Sequence, residues 1–349
     1  MKSLRPSALF RYFLSLGLMV GLLYWAFLDQ DLSEIWFQLR SISLFWVTIV
    51  TLITLTTLWI RSWRWSIMIR SFASNVRIID GVWALSICYA ANVVIPRSGE
   101  FLRAISLKWT RSVPISPTLA TVVVERILDV LWLVFCIGTA LFLERKLINQ
   151  TFPILETLSL LTLLCCSLLL LILIIFAYYR SIALKRIEPL INKMGSQIAD
   201  PLIRILRTFV DGLESLKNPS AHLKIALSSI LLNSGYILII YALFASMGLI
   251  ENYDLDFTSA IVIMAISSLG IVVPTPGGTG SYHLIFSIAL HKIYSVPEPL
   301  ALACATIAHG LATITYLTIG CPALTLQWYY YGRKNKNQSA QTINKDPPT

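Results

Sequence analysis

Long apolar runs, rather than an alternation of apolar and polar positions, dominate this chain. Six of them, at 10–28, 42–60, 118–143, 155–179, 224–248 and 300–326, are long enough to cross a bilayer as helices. A hydrocarbon core of about 30 Å takes about 20 helical residues at a rise of about 1.5 Å each. The pattern therefore predicts an all-α polytopic membrane protein. The first run follows Lys2, Arg5 and Arg11 as a signal peptide would, but passes into Asp29, Gln30 and Asp31 without a small-residue cleavage site. It reads as an uncleaved span. The third run alone carries several charges in its interior, at Glu125, Arg126 and Asp129.

Two further apolar regions do not read as simple spans. Residues 81–108 are interrupted at Pro96 and Gly99, and residues 257–290 at Pro274, Pro276, Gly277, Gly278 and Gly280. Lys and Arg cluster at the N-terminus, at 61–77, at 97–111, at 180–224 and in the tail. The segments 29–41, 144–156, 249–256 and 291–299 together hold nine acidic and four basic residues. By the positive-inside rule both termini are expected in the cytoplasm of a plasma (inner) membrane protein. The region 81–108 is then a re-entrant hairpin entering from the cytoplasm, and 257–290 one entering from outside. The order span, span, hairpin, span occurs twice, in residues 1–150 and 151–330, the second copy inverted and followed by a tail at 331–349. Val93-Val94-Ile95-Pro96-Arg97-Ser98-Gly99 beside Val272-Val273-Pro274-Thr275-Pro276-Gly277-Gly278 is a faint echo of that repeat. Paired Gly/Pro-interrupted segments in two halves point to a transporter's binding site. The alternative is a pair of kinked packing helices.

Between the halves, Leu184, Ile187, Ile191, Met194 and Ile198, then Ile205, Phe209, Leu213 and Leu216, recur at spacings of three and four. They predict two amphipathic cytoplasmic helices within 181–217, lying on the anionic leaflet as a tether. Asp200 and Pro201 are the expected N-cap and first-turn proline of the second.

Composition narrows the classes of function. Of 349 residues 56% are apolar and only 13% charged, against about 25% charged in a soluble domain. A soluble enzyme, a disordered chain and a free nucleic-acid binder are excluded. The six cysteines, Cys88, Cys136, Cys165, Cys166, Cys304 and Cys321, show no metal-ligand spacing and read as small buried apolar residues. Trp59, Trp63, Trp65, Trp109, Tyr178, Tyr179 and the run 328–331 lie near span ends, as interfacial aromatics do. Nucleotide-binding, serine-hydrolase and zinc-protease motifs are missing, so neither cofactor nor metal is expected.

Three groups of residues carry candidate chemistry. Glu125 and Asp129, four apart, share one face of the third span with Arg126 beside them. They read either as cavity-lining groups or as a structural Arg126–Asp129 pair that leaves Glu125 without a local partner. Asn92, Pro96, Arg97, Glu100 and Arg103 surround the first break. There two guanidiniums and the backbone N–H groups of a helix starting after Gly99 suit a phosphate. The alternative is that Arg97 and Arg103 obey the positive-inside rule and nothing more. Pro276, Gly277, Gly278, Gly280 and His283 form the second break, where glycines permit positive φ and close approach of a ligand. His283 and His309 read as packing histidines, with His283 the titratable group of that tip.

Asn92-x-x-x-Pro96-x-x-x-Glu100-x-x-Arg103, then Glu125-Arg126-x-x-Asp129, then Pro276-Gly277-Gly278-x-Gly280 resemble, in order, the motifs of the lysylphosphatidylglycerol synthase transmembrane-region family. The resemblance implies a lipid flippase. In that family the membrane part is regarded as moving aminoacylated phosphatidylglycerol between leaflets, the synthase chemistry belonging to a separate soluble domain. Other stand-alone members are linked to polyprenyl-linked sugars or glycolipids. The chain ends at Thr349, soon after its last span, so aminoacyl transfer is not expected of it. Many relatives carry a carboxylate at the position of His283, which makes a lysyl-lipid substrate less fitting.

The expected function is translocation of a phosphate-bearing lipid, phospholipid or polyprenyl-linked. Glu100, Arg97 and Arg103 would engage the headgroup, and Pro276 to His283 would form the outer half of the path. Glu125, Arg126 and Asp129 would line the cavity and couple movement to protons. The alternatives are a membrane-embedded transferase using Glu100 or Asp129 as base, and a non-catalytic subunit of a lipid-modifying system. Expected partners are membrane lipids, with a lipid-modifying enzyme or a second copy of the chain, and not nucleic acid.

Overall fold

Length and apolarity divide the helices of this protein into spans, broken pairs and surface helices. The structure, a computed structural model, describes residues 6–28, 30–193, 196–212 and 219–343. The spans are α3 (Leu44–Ile69), α6 (Ile115–Thr151), α7 (Leu155–Tyr178), α10 (Pro219–Ser246) and α14 (Glu298–Ile343). Each contains a stretch long and apolar enough to cross a membrane. Helix α1 (Pro6–Phe27) is followed by α2 (Leu32–Ser41) at 94°, and the bent pair makes a sixth candidate span. Asp31 sets that turn: its Oδ1 accepts the Ser33 and Glu34 N–H groups at 2.9 and 3.4 Å, satisfying two of the orphan donors at the start of α2. The protein is thus an integral multi-pass helical membrane protein.

The broken pairs are α4 (Ile78–Val94) with α5 (Gly99–Arg111), and α12 (Phe257–Val272) with α13 (Ser281–Tyr294). Helix α4 ends before Pro96, and α12 before the single turn Pro276–Gly278. In each pair the second helix folds back on the first at a glycine. A Cβ at Gly99 would lie 2.0 Å from the Cys88 carbonyl oxygen, and one at Gly270 would lie 2.7 Å from the Tyr282 Cα. No side chain fits in either place. The short helix α11 (Leu249–Tyr253) precedes α12, and the surface helices α8 (Arg180–Asn192) and α9 (Ser196–Gly212) lie between α7 and α10.

Several boundaries differ from the sequence reading. Helix α3 continues from residue 60 to Ile69, so Arg61 and Arg64 are helical and buried rather than part of a basic cytoplasmic loop. Helix α6 runs on past residue 143, but Glu144, at φ −132° and ψ 37°, interrupts it there. Helix α9 begins at Ser196 with Pro201 inside it, so Asp200 is not its N-cap. Met194, Leu213 and Leu216 lie outside the described residues. Cys165 and Cys321 are exposed and face outward, unlike buried Cys88, Cys136 and Cys304.

Two apolar cores position the site. One joins α10, α12, α13 and α14 to the far part of α6 through Phe244, Ile263, Phe286, Leu290 and Ile148. The other joins α3, α4, α5 and the near part of α6 through Leu58, Trp65, Leu85, Leu107 and Val122. Helix α7 leaves Leu160, Leu161, Leu164, Leu168 and Leu171 exposed, as a lipid-facing helix does.

Candidate functional site

Helical spacing builds a charged ladder between α3 and α6. Arg61 and Arg64, three apart, share one face of α3, and Glu125 and Asp129, four apart, share one face of α6. Packed together, each arginine meets both carboxylates. Arg61 donates through Nε to Glu125 Oε1 at 3.0 Å and through Nη2 to Asp129 Oδ2. Arg64 donates through Nη2 to Glu125 Oε1 at 3.3 Å and to Asp129 Oδ1. Arg103, brought in by α5, donates through Nη1 to Glu125 Oε2 at 2.7 Å. Arg126 reaches Glu125 Oε1 at 3.4 Å and Asp129 Oδ2 at 3.2 Å. Glu125 therefore has four arginine partners, which overturns the expectation that it lacks one.

The surrounding side chains fix these guanidiniums. Arg64 Nη1 donates to Ser229 Oγ at 3.1 Å, and Arg61 Nη1 to the Tyr236 hydroxyl at 3.2 Å, both on α10. The Arg103 guanidinium lies 4.7 Å over the Trp65 ring, whose Nε1–H donates to Thr121 Oγ1 at 3.1 Å. Trp65 is fully buried and serves as a platform rather than as an interfacial aromatic. Arg61 also sits 5.8 Å over Tyr89, which stacks on Tyr316 at 4.2 Å.

Charge and hydrogen bonding are both left unbalanced. Four guanidiniums against the carboxylates of Glu125 and Asp129 leave a surplus of two positive charges. Arg64 Nε, Arg103 Nε and Nη2 and Arg126 Nε are buried with no partner among the described residues. Burying an uncompensated ion costs several kcal/mol, and Arg61 lies eight residues before the end of α3, about 12 Å along the helix. Surplus guanidinium donors at such a depth are what an anionic group would satisfy. The cluster opens on one side: the Arg126 side chain is 43% exposed and that of Asp129 24%, against 0% for Glu125 and Arg103.

The residues at the first break do not act as one group. Arg97 is exposed, with φ 61°, and its Nη2 donates to the Val272 carbonyl at 3.4 Å. Arg103 points into the ion cluster instead, so the expected pair of tip arginines does not exist. Asn92 Oδ1 accepts the Gly99 N–H at 2.8 Å; that amide is a capped helix start and not an open phosphate ligand. Pro96 ends the segment with partial exposure, and Glu100, half-buried, keeps its Oε2 buried and unpartnered.

The second break forms a glycine turn, with Gly277, Gly278 and Gly280 at φ 62°, 79° and 87°. Gly280 N–H donates to His283 Nδ1 at 3.4 Å, and the His283 and His309 rings lie 5.0 Å apart. Thr279 Oγ1 contacts His309 Nε2 at 3.2 Å. The two breaks touch each other: a Cβ at Gly277 would stand 3.5 Å from the Val93 Cα, beside the Arg97–Val272 bond and close to buried Pro276.

Sequence reasoning missed Arg61, Arg64 and Trp65. The signal was there: Trp63-Arg64-Trp65-Ser66-Ile67-Met68-Ile69 stays apolar and aromatic beyond both arginines. Among the described residues no cluster of three or more His, Cys, Asp or Glu side chains suits a metal.

The family model described as Lysylphosphatidylglycerol synthase TM region matches residues 12–320. No curated protein and no solved structure matches the chain.

Proposed function

We propose that this chain, which belongs to the lysylphosphatidylglycerol synthase TM-region family, moves a phosphate-bearing lipid between leaflets, with its arginine cluster as the headgroup site. Membership and the apolar helices support a lipid-related membrane function. The observation that carries the rest is the surplus of buried guanidinium donors around Glu125 and Asp129. A headgroup crossing the hydrocarbon region needs polar partners within it, and irregular backbone at such depth persists only where it is buried in protein or lines a cavity. The two touching breaks supply that backbone.

Under this reading both termini are cytoplasmic in the plasma (inner) membrane, by the distribution of Lys and Arg. The headgroup reaches the cluster past Arg126 and Asp129, its exposed members. Of the two carboxylates a transferase would use as base, Asp129 is held by Arg61, Arg64 and Arg126 while Glu100 keeps an unpartnered Oε2; the transport reading is preferred for the surplus of buried guanidinium donors, which a general base does not need.

Purified protein in liposomes carrying headgroup-labelled phosphatidylglycerol or polyprenyl phosphate tests it, with label exposure read by a membrane-impermeant quencher. The expected result is faster exposure of inner-leaflet label than in empty liposomes, lost in Arg103→Ala. Exposure no faster than in empty liposomes for every lipid, with and without a pH gradient, overturns translocation.

A further inference from the structure

Helix α1 has 22 residues, about 33 Å at a rise of about 1.5 Å each, and so crosses a core of about 30 Å by itself. Arg11 stands in its second turn, at the entry interface where cations belong. The chain then turns by 94° into α2, and a helix at that angle to a span runs along the membrane rather than through it. Its neighbours fix the level. Gln30, just before α2, donates through Nε2 to Glu298 Oε2 at 3.0 Å, and Glu298 is the first residue of α14. Ile35, midway along α2, packs with Leu302 and Ala303, about 6–8 Å from the start of α14. Just beyond the end of α2 at Ser41, Leu44 opens the span α3. Both ends of α2 and its middle therefore stand within about 10 Å of the face where two spans begin, the level at which interfacial helices rest. We infer that α2 lies flat in one phospholipid leaflet, and that the partner of its exposed apolar face is that leaflet's headgroup layer. This surface is separate from the arginine cluster, and its occupancy does not depend on translocation.

Successive residues turn about 100° around the axis, which divides α2 into three sectors. Ile35 and Leu39 pack against α14. Next round the helix come Leu32, Trp36 and Phe37, all exposed, and then the polar Glu34, Gln38 and Ser41. A surface helix in water needs only two sectors, one against protein and one polar. The apolar sector between them is what a lipid surface covers, and it follows along the chain from exposed Tyr24, Trp25 and Leu28 at the end of α1. The polar groups in that sector suit a headgroup layer. Ser33 Oγ donates to Asp31 Oδ1 at 2.6 Å. The guanidinium of exposed Arg40 lies 4.6 Å over the Trp36 ring. Indole rings settle at headgroup level, and a guanidinium beside one offers its N–H groups to lipid phosphates. Seating α2 there also sets the depth of α1, which abuts the second break: a Cβ at Gly280 would stand 2.8 Å from the Met19 carbonyl oxygen.

The test is spin-label depth in the full-length chain, freed of its six native cysteines and reconstituted in liposomes of phosphatidylethanolamine and phosphatidylglycerol. Depth is read from collision with oxygen against collision with a water-soluble nickel chelate. Leu32→Cys, Trp36→Cys and Phe37→Cys sample the apolar sector, and Glu34→Cys, Gln38→Cys and Ser41→Cys the polar one, so the pattern stays readable if one variant fails to fold. Labels of the first set are expected at one common depth, about 5–10 Å into the boundary between headgroups and acyl chains, and those of the second set should meet the chelate as in water. A depth that grows by about 7 Å from Leu32 to Phe37 makes α2 the continuation of a span. Chelate contact at all six positions puts α2 in water, and a first set shielded from both reagents puts a second copy of the chain over it. Each of these three results overturns the inference. With the native cysteines kept, phospholipids brominated near the headgroup should quench tryptophan fluorescence less in Trp36→Phe than in the wild type. Equal quenching of the two chains by those lipids counts against the interfacial site as well.

Discussion

Arg103 holds Glu125 at 2.7 Å through one nitrogen and leaves its other two unpartnered. That contact ties α5, the returning arm of the first broken pair, to α6 between its start at Ile115 and its interruption at Glu144. Displacement of α5 about the break at Pro96–Gly99 therefore moves a guanidinium relative to the carboxylate that neutralises it. Backbone geometry at the break and charge balance in the cluster are one mechanical unit.

Glu125→Gln removes the carboxylate shared by four arginines, leaving Arg61, Arg64 and Arg126 on Asp129 and Arg103 without its carboxylate. Breaking a buried pair by deleting one partner costs about 3–5 kcal/mol. The variant should melt far below the wild type in detergent, followed by tryptophan fluorescence. Arg126→Ala, at a side chain 43% exposed, should cost under about 1 kcal/mol. Equal melting of Glu125→Gln and wild type would show that the cluster does not hold the helices together.

Trp65→Phe keeps an aromatic face under Arg103 but deletes the Nε1–H bond to Thr121. The lost hydrogen bond is worth about 1 kcal/mol. Trp65→Ala adds a cavity in the α3–α5–α6 core and removes the cation–π contact, for a loss of about 3–5 kcal/mol. If the ring positions Arg103, lipid binding measured by thermal shift should fall more in Trp65→Ala than stability does, and Trp65→Phe should retain most of it. Equal binding by all three chains would make Trp65 a packing residue only.

How much of this was legible in the sequence depends on what each residue answers to. The spans follow from apolar length, which every residue of a run reports together. The shared face of Glu125 and Asp129 follows from helical period alone. Arg61 and Arg64 were assigned to a loop because charge near the end of a run is ordinarily loop charge. Only the partner carboxylates on a helix far along the chain keep them buried. The same holds for Arg97 and Arg103: six residues apart and similar in sequence, they part company because α5 turns one toward α6 and leaves the other beside Val272. Pairings across helices are set by tertiary contact, which periodicity does not encode.

Gly99→Ala should be among the most damaging small substitutions in the chain. Its Cβ would lie 2.0 Å from a backbone oxygen of α4, and backbone cannot rotate away. Helices α4 and α5 would have to separate, taking Arg103 with them. Gly138→Ala, on α6 with nothing within 4 Å of the new methyl, should instead be neutral or stabilise by about 0.5–1 kcal/mol. Melting temperature and the monodisperse yield from size exclusion compare the two directly. A Gly99→Ala variant as stable as Gly138→Ala would mean that the helices do not cross so closely.

Under the transport reading proposed above, the contact between the two breaks is where a gate would lie, because parting it separates Val93 from Gly277 without unfolding a helix. Val93→Cys with Gly277→Cys, in a chain freed of its six native cysteines, tests this. A Cβ at residue 277 falls 3.5 Å from the Val93 Cα, which brings the two Cβ atoms within the spacing of about 3.5–4.5 Å that a disulfide needs. Residue 277 has φ 62°, so the cysteine there costs about 1–2 kcal/mol, and Gly277→Cys alone is the control. Oxidation should protect both thiols from maleimide tagging and slow lipid translocation at least about tenfold, with recovery on reduction. Thiols that stay reactive would mean that the breaks do not touch. Thiols that link while transport continues unchanged would mean that lipid passes without their parting, and that the route lies along α3 and α6 alone.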